Sequence, residues 1–284
     1  MAFKFINEHK ARCSVSLLCR KFGVSRSGYY TWCNRAESKR EIENLELLER
    51  IRTIHEDSRE TYGSPRVHAM LQKEGTHCNI KRVARLMRIN GIQAKMKAKF
   101  KKQSNVYSLG KFSKNLLLKQ KSPEVKNQIW VGDVTYIRVG KNWSYLAVVM
   151  DLYTRRIIGW SFSKSRTKQI VNDAIRMAIE SQKPKTKLIF HSDQGIEYFA
   201  TDFRAILKEN KIIQSMSHRG CCWDNAYMES FFHSLKTEMV YFQNFKHLEQ
   251  AVAYIIDYIT FYNDKRIHSG LDYLTPKEFE KWVA

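Results

Sequence analysis

The chain has 284 residues, which is enough for about two domains with hydrophobic cores of their own. Hydrophobic residues make up 43% of it and charged residues 27%, a globular composition that excludes a disordered chain. No apolar run approaches the roughly 20 residues that a membrane-spanning helix needs, and the amino-terminal residues lack the apolar core of a signal peptide. We therefore expect a cytoplasmic protein with no membrane partner.

Positive charge is concentrated in the first part of the chain. The formal net charge is +21. Residues 1–122 carry 27 Lys and Arg against 10 Asp and Glu, a net +17, whereas residues 123–284 carry 22 against 18, a net +4. This distribution favours a front part that binds a polyanion and a back part that uses carboxylates. A basic face on a ribosomal or membrane-surface protein would give a similar bulk signal.

The cysteines show neither a disulfide pattern nor a zinc pattern. There is no Cys-x-x-Cys pair and no His pair at zinc-finger spacing. We therefore expect reduced thiols at all six positions, which are 13, 19, 33, 78, 221 and 222.

The first candidate DNA-binding segment covers residues 14–32. Two short helices are predicted around Gly23, and Ser25 is the expected cap of the second one. That second helix carries Arg26 and would offer its amino-terminal residues to a major groove, as in a helix-turn-helix. A longer helix at about 41–56 is interpreted as structural or dimerising. The side chains expected to face inward in the first segment are Leu17, Leu18 and Phe22.

A second helix-turn-helix candidate follows the longer helix. Its two helices are predicted within residues 62–75 and 79–92, with Ser64 and Asn79 as their caps. The alternative is a solvated basic face, but the surrounding positive charge favours contact with DNA phosphates. The expected contacts are Arg82 and Arg85.

A basic connector separates this front part from the rest of the chain. Residues 93–122 contain no acidic residue, so the segment repels itself unless it lies along a polyanion. We place a domain boundary here. The predicted organisation is a helix-turn-helix segment at 1–40, a second such helical segment at 41–92, the connector at 93–122 and an α/β domain at 123–284.

The last part of the chain has the pattern of a mixed sheet flanked by helices. Three β-rich runs joined by short turns predict an antiparallel meander at 128–139, 143–153 and 156–163. Helices and strands then alternate, which adds helices to the sheet. These later elements are a helix at 167–182, a strand through Leu188, a helix at about 200–210, a strand at 212–216, and helices near 225–240 and 247–262.

Two aspartates stand on strands that can be neighbours in such a sheet. Asp133 lies inside the first strand, and Asp193 lies at the end of the fourth. An ionised carboxylate within a central strand is unfavourable unless a positive group meets it. If the first strand is central, the two carboxylates come together, and a hard divalent cation that takes oxygen ligands would relieve their repulsion. The alternative for Asp193 alone is a simple capping role.

A third carboxylate, Glu229, is predicted on a helix. At 100° per residue it shares one polar stripe with Asn225 and Lys236, a pattern that the wet side of any surface helix can also show. Together with the strand aspartates, Glu229 could hold two Mg²⁺ or Mn²⁺ ions for in-line displacement at phosphorus. Several nearby residues are assigned to structure instead: Asp151 to turn capping, Asp224 to helix capping, and Arg266 and His268 equally to helix packing or DNA contact.

Four stretches carry a resemblance to a known family. They are WVGDVTYI, HSDQGIEY, SMSHRGCCWDNAYMESFF with LKTE, and YNDKRIHSGLDYLTP. The chain resembles DDE transposases of the insertion-sequence-three family, whose catalytic domain is of the retroviral-integrase type with a ribonuclease-H fold. The resemblance covers essentially the whole chain, including the helix-turn-helix segments, and Asp193 and Glu229 have the family's 35-residue separation.

The resemblance implies a fold, a reaction and a set of residues. The fold is α/β, a ribonuclease-H-like mixed sheet after small all-α segments, and the reaction cleaves insertion-sequence ends and joins the 3′ hydroxyl to target DNA. Two Mg²⁺ or Mn²⁺ ions would be held by Asp133, Asp193 and Glu229, and DNA contacts are expected from Asn225, Lys236 and Arg219. Implied partners are double-stranded DNA carrying terminal inverted repeats, target DNA and a further copy of the chain. Members of this family are usually made by frameshift fusion to a first-frame protein, so such a protein is a further expected partner. The expected location is the bacterial nucleoid.

Two other functions fit parts of this pattern. A metal-dependent nuclease of the same fold would cut DNA without joining it. A non-catalytic DNA-binding repressor would bind tightly without metal, but the three-carboxylate set argues against it.

Overall fold

The computed structural model divides the chain into two compact units. They are Met1–Thr53 and Ile54–Ala284. The described residues are 2–36, 38–95, 113–117, 122–185, 187–217 and 226–283. Within these ranges, no helix is both long enough and apolar enough to cross a bilayer.

The first unit consists of short helices around a small core. Helices α1 (Ala2–His9), α2 (Val15–Lys21) and α3 (Arg26–Cys33) are followed by α4 (Lys39–Asp57), which continues into the second unit. The predicted cap is confirmed, because the Ser25 hydroxyl accepts a hydrogen bond from the Gly28 N–H at 3.0 Å. The buried side chains of this core are Ile6, Leu18, Cys19 and Tyr29.

Two of the side chains expected inside this unit are on its surface. Leu17 is 39% exposed and Phe22 is 45% exposed. Helix α2 contributes Leu18 and Cys19 to this small core, so the side of the helix that carries Leu17 is left facing solvent. Phe22 instead packs against the Phe5 ring, with 5.1 Å between the ring centroids. The prediction was therefore wrong for Leu17 and Phe22 and right for Leu18.

The second unit begins with the end of α4 and a helical hairpin. Helices α5 (Ser64–Lys73) and α6 (Ile80–Ile89) match the second predicted helix pair. Asn79 caps α6 as predicted, because its side chain accepts a hydrogen bond from the Lys81 N–H at 2.8 Å. The N-cap of α5 is Gly63 rather than Ser64, because the helix begins one residue earlier and Ser64 is already its first residue.

A five-stranded mixed sheet forms the centre of the second unit. Its strands are β1 (Ile129–Val139), β2 (Asn142–Asp151), β3 (Ile157–Ser163), β4 (Leu188–Ser192) and β5 (Ile212–Met216), in the order β3-β2-β1-β4-β5. The first three strands form the predicted antiparallel meander. β4 joins β1 in parallel, and β5 joins β4 in parallel. β1 is therefore central, as the carboxylate hypothesis requires.

Helices cover both faces of this sheet, because the apolar residues of the strands alternate between two cores. One core joins the sheet to α7 (Lys168–Gln182) and α8 (Thr201–Glu209), with Trp130 as its contribution from β1. The other joins it to α9 (Ala226–Glu238) and α10 (Leu248–Asp264), with Val131 and Ile137 from β1. A last helix, α11 (Pro276–Trp282), begins with a capping box formed by Thr275 and Glu278.

Candidate active site

Asp133 and Asp193 lie side by side at the point where β4 ends. In the parallel pairing of the two strands, Gly132 of β1 is the partner of Ser192 of β4, and each aspartate is the next residue. Both side chains are half-buried. By the alternation of a strand, Asp133 belongs to the same face as Val131 and Ile137, which α9 and α10 cover. The topology therefore brings two carboxylates to one edge of the sheet, beneath α9.

Gly132 makes this approach of the two strands possible. A Cβ atom at this position would collide with the ring of Phe190, a buried side chain of β4. The ring occupies the space that any larger residue at position 132 would fill. Glycine is thus required next to Asp133 for packing between the strands.

Local hydrogen bonds orient both carboxylates. Asp133 Oδ1 accepts from the Val134 N–H at 2.7 Å, and Asp193 Oδ1 accepts from the Gly195 N–H at 3.0 Å. A Cβ atom on Gly195 would lie 3.0 Å from Asp193 Oδ1, so the turn after β4 is closed tightly around this carboxylate.

A buried tyrosine lies in the electrostatic field of three acidic groups. Tyr198 follows Asp193 in a one-turn 3₁₀ helix and is 2% exposed. Burial raises the pKa of its hydroxyl well above 10, and the charges of Asp133, Asp193 and Glu197 raise that pKa further. All three carboxylates therefore act on one hydroxyl group. The negative field at this edge of the sheet is the kind that a divalent cation neutralises.

Glu229 lies in the first turn of α9, on the exposed side of the helix. Its position near the helix amino terminus is electrostatically favourable for a carboxylate. Asn225 and Arg219 precede α9 and lie outside the described residues. In the part of the chain that the structure describes, no three acidic, His or Cys side chains are arranged to hold a metal ion. Asp133 and Asp193 thus fit a cation as oxygen ligands, but the described structure does not bring Glu229 to them.

Lys236 lies two turns after Glu229 on the same helix. Its Nζ is 4.5 Å from the centroid of the Tyr136 ring, and Tyr136 belongs to β1. This cation–π contact holds α9 beside β1 and keeps a positive charge along the strand that carries Asp133.

A buried ion pair anchors the carboxyl-terminal end of α9. Arg266 donates to Glu238 Oε1 from Nη2 at 2.7 Å and to Oε2 from Nε at 3.0 Å, and the two side chains are 5% and 7% exposed. Tyr258 donates to Glu238 Oε2 at 2.8 Å, and Arg266 also donates to the Ser234 hydroxyl at 3.2 Å. For Arg266, which the sequence left equally between packing and DNA contact, the described structure shows packing. The sequence missed its partner, Glu238, whose only signal was its place in the LKTE stretch.

The remaining expectations have simple structural outcomes. Asp151 caps its turn as predicted, because its carboxylate accepts from the N–H groups of Asn127, Tyr153 and Thr154. Burial raises the pKa of Asp151 despite these hydrogen bonds. Arg26 and Arg85 are exposed and Arg82 is half-exposed, all on the helices that were expected to carry them. The described cysteines are free thiols: Cys13, Cys19, Cys33 and Cys78.

Family models and relatives agree with this architecture. Integrase core domain models match residues 123–222 and 229–283, and an HTH-like domain model matches residues 42–100. Transposase InsF for insertion sequence IS3A of Escherichia coli (strain K12) is 39% identical over 283 residues, which are 99% of this chain and 98% of that protein. An uncharacterized 31 kDa protein of insertion element IS600 from Shigella sonnei is 38% identical over 265 residues, covering 93% of this chain and 97% of that protein.

Solved structures of integrases are also similar. The HTLV-2 integrase catalytic core domain in complex with magnesium has a TM-score of 0.39 at 19% identity, covering 55% of this chain and 98% of that one. The simian T-cell lymphotropic virus intasome in complex with PP2A regulatory subunit B56 gamma has a TM-score of 0.47 at 13% identity, covering 75% and 70%. On the strength of the full-length relatives and the integrase core models, this chain belongs to the IS3 family of transposases.

Proposed function

We propose that this transposase cleaves DNA at the ends of its own insertion sequence and joins the freed 3′ hydroxyl to a target phosphodiester. The observation that carries the proposal is the adjacency of Asp133 and Asp193 on paired central strands. Two half-buried carboxylates at one sheet edge repel each other, and that arrangement suits an enzyme that uses divalent cations at phosphorus. A protein that only binds DNA has no use for this pairing.

The metal ligands in this proposal are Asp133, Asp193 and Glu229. All three supply hard oxygen atoms, which suit Mg²⁺ or Mn²⁺, and we propose two ions per site. When bound, such ions lower the pKa of the attacking water or hydroxyl and stabilise the charge on the leaving oxygen. Glu229 lies in the first turn of α9. This helix begins directly after residues 218–225, which lie outside the described part of the chain. We propose that the helix start brings its carboxylate to the two aspartates when DNA is bound.

The other residues of the chain position the DNA. We propose that Lys236 holds a backbone phosphate beside β1, together with Asn225 and Arg219 ahead of α9. The helix-turn-helix segments at 1–40 and 41–92 bind the terminal repeats through Arg26, Arg82 and Arg85. The basic connector at 93–122 lies along DNA, and residues 123–284 perform the chemistry.

Both element ends must be cut and joined to one target, so we propose that at least two copies of the chain act together on DNA. A first-frame protein, separate or fused, is a further candidate partner. The reaction takes place on bacterial DNA, at the nucleoid in the cytoplasm.

The test is a cleavage and joining assay with the purified full-length chain. Labelled duplexes that carry the terminal repeats of its own element are incubated with plasmid DNA in Mg²⁺ or Mn²⁺. We expect cut ends and joined products, both abolished by EDTA and by Asp193→Asn. Asp173→Asn, an exposed aspartate on α7, is the matched control and should be as active as the wild type.

The same assay separates the rival functions. Cut ends without joined products would identify a nuclease and contradict the proposal. Tight, metal-independent binding of the ends without any cleavage would identify a repressor.

A further inference from the structure

A second ion pair stands at the rim of the carboxylate site. Arg166 belongs to the connection between β3 and α7, and Glu197 belongs to the 3₁₀ helix that follows Asp193. Glu197 Oε1 accepts from Arg166 Nε at 3.1 Å and from Arg166 Nη2 at 2.8 Å. The two partners differ sharply in burial, since the Glu197 side chain is 3% exposed and that of Arg166 is 48% exposed.

Glu197 is held close to Asp193 by the turn between them. A Cβ atom on Gly195 would lie 3.0 Å from Asp193 Oδ1 and 3.2 Å from the Glu197 carboxyl carbon, so both carboxylates border the same small space. The second oxygen of Glu197, Oε2, is buried and has no hydrogen-bond partner in the described part of the chain. A buried carboxylate with an unsatisfied oxygen is unfavourable for stability, so this pair is poorly explained as a device for stability.

The geometry favours an interaction between Arg166 and a ligand that approaches from solvent. A guanidinium has five N–H donors in a rigid fork, and the contacts with Glu197 use those of Nε and Nη2 on one oxygen atom. Burial lowers the pKa of Arg166, but the hydrogen bonds and charge of Glu197, with the charge of Asp193, outweigh it and raise that pKa. The guanidinium of Arg166 is charged, half-exposed and held in place by Glu197. A guanidinium in this state can bind phosphate oxygens through its forked N–H groups.

We propose that Arg166, oriented by Glu197, binds a backbone phosphate of the DNA that enters the carboxylate site. The proposal rests on the proposed function, because the ligand is the DNA on which that function acts. The phosphate belongs either to the element end or to the target strand, which present the same chemistry. In this role Arg166 is a binding residue and Glu197 is a positioning residue.

The test measures how tightly the full-length chain binds DNA duplexes in which one phosphate has been made neutral. Duplexes with one methylphosphonate linkage, moved along the strand position by position, are titrated in one series with element-end DNA and in another with target DNA. For the wild type we expect one position at which neutralisation weakens binding by about tenfold, the loss of a charge-assisted hydrogen bond. Arg166→Gln should bind unmodified DNA about tenfold more weakly and be insensitive to neutralisation at that position.

Two further variants distinguish phosphate binding from folding. Lys168→Gln removes an equal charge two residues away, from a lysine paired with exposed Asp202, and should keep the wild-type sensitivity. Arg166→Gln leaves Glu197 buried without its partner and should lower the melting temperature. The double variant Arg166→Gln, Glu197→Gln also removes the buried negative charge of Glu197. Its melting temperature should therefore be higher than that of Arg166→Gln, but it should still be insensitive to the neutral linkage.

The outcomes separate this inference from the proposed function. If neutralising one phosphate weakens binding in only one of the two series, that series shows whether the phosphate belongs to the element end or to the target DNA. The inference is overturned if the wild type has no such position in either series, or if the double variant regains the sensitivity. Joining of unmodified DNA is measured in parallel, so loss of chemistry with intact phosphate sensitivity would count against the proposed function alone.

Discussion

Lys236 contacts an aromatic ring of the sheet, and we propose that it also binds a DNA phosphate. Its Nζ is 4.5 Å from the centre of the Tyr136 ring, and it follows Glu229 by two helical turns. A half-buried ammonium in this place can meet a phosphate without leaving the aromatic ring. The residue is therefore suited to positioning DNA, whereas it cannot ligate a metal ion.

Lys236→Ala should weaken binding of element ends without loss of metal binding. Removing one phosphate contact lowers affinity for all sequences alike and reduces the slope of log affinity against log salt by about 1. Titration of labelled ends at several salt concentrations measures both effects. Lys246→Ala, in the segment before α10, is the control. A loss of metal affinity as large as that of Asp193→Asn would contradict this role.

His268 is a partly buried histidine beside the anchor of α9. Burial, together with the nearby charges of Arg266, Arg66 and Arg155, lowers its pKa to about 3. Arg266 Nη1 lies 3.4 Å from His268 Nδ1, and the ring packs edge-on against Tyr262. The neutral ring is therefore the form that the fold accepts.

This histidine predicts a loss of stability in mild acid. The unfolded chain takes up a proton near pH 6.5, whereas the folded chain does not until about pH 3, so His268 makes unfolding easier as pH falls through this window. Between pH 7 and pH 5 the expected loss of unfolding free energy from His268 is about 2 kcal/mol, because the unfolded histidine is only partly protonated near pH 6.5. Urea unfolding at pH 7, 6 and 5 measures this loss, and it should be smaller by that amount in His268→Gln. Equal losses for the variant and the wild type would contradict the assignment.

At the scale of elements, two contacts near the carboxyl-terminal end of α9 hold the helix against the rest of the second unit. Lys236 contacts Tyr136 of β1, and Glu238 forms the buried pair with Arg266 from the segment after α10. Burial lowers the pKa of Arg266, but the hydrogen bonds and charge of Glu238 outweigh it and raise that pKa. The orientation of the helix that carries Glu229 thus depends on a residue 37 positions further along the chain.

Breaking this pair should destabilise the protein strongly. Arg266→Met leaves Glu238 charged and buried, which is expected to lower the free energy of unfolding by about 3–5 kcal/mol. The double variant Arg266→Met, Glu238→Gln should recover part of that loss because no uncompensated charge remains. Arg59→Met is the comparison, because it breaks an ion pair on the surface. The side chains of Arg59 and Asp257 are 36% and 62% exposed, so this variant should lower the free energy of unfolding by less than about 1 kcal/mol. Urea unfolding that gives the two single variants equal effects would contradict this view.

The elements themselves were largely predictable from the sequence, because their periodicity and end signals are local. The alternation in residues 128–163 predicts the meander, and the Asn79 cap marks the start of α6. These features depend on neighbours in the sequence. The central place of β1 was only a condition of the carboxylate hypothesis, and the sheet order meets that condition.

What escaped prediction depends on contacts between distant parts of the chain. Nothing near Glu238 indicates that Arg266 is its partner, and nothing near Glu197 indicates Arg166. The exposure of Leu17 has a similar cause, since a short helix with several apolar residues can bury only those that its partners reach. For Glu229 the sequence supplied the residue, but the described structure does not supply the convergence with Asp133.

At the scale of the whole molecule, positive charge is distributed unevenly along the chain. The first 122 residues hold +17 of the total +21. A fragment of these residues is a poor test of their function, because Tyr62 accepts a hydrogen bond from the Ile267 N–H at 2.8 Å and is buried within the second unit. DNA binding by the basic front is therefore best measured in the full-length chain.

The basic front should give DNA binding a strong dependence on salt. Arg26→Gln and Arg85→Gln should each lower the salt slope by about 1, because each removes one phosphate contact and its released counterion. Arg176→Gln, on the exposed side of α7, carries the same charge change and should leave the slope unaltered. Binding that hardly changes between low and moderate salt would contradict DNA binding by the front.

The most direct test of the central claim, a three-carboxylate site for DNA joining, is the activity of Glu229→Gln. Gln keeps the shape and helix propensity of Glu but removes the charge that a second cation needs. We expect the variant to bind element ends as tightly as the wild type, or more tightly, and to cleave and join them at least about 100-fold more slowly in Mg²⁺ and Mn²⁺. Glu180→Gln, at an exposed glutamate of α7, should retain full activity. Near-normal cleavage and joining by a folded Glu229→Gln protein would remove Glu229 from the site.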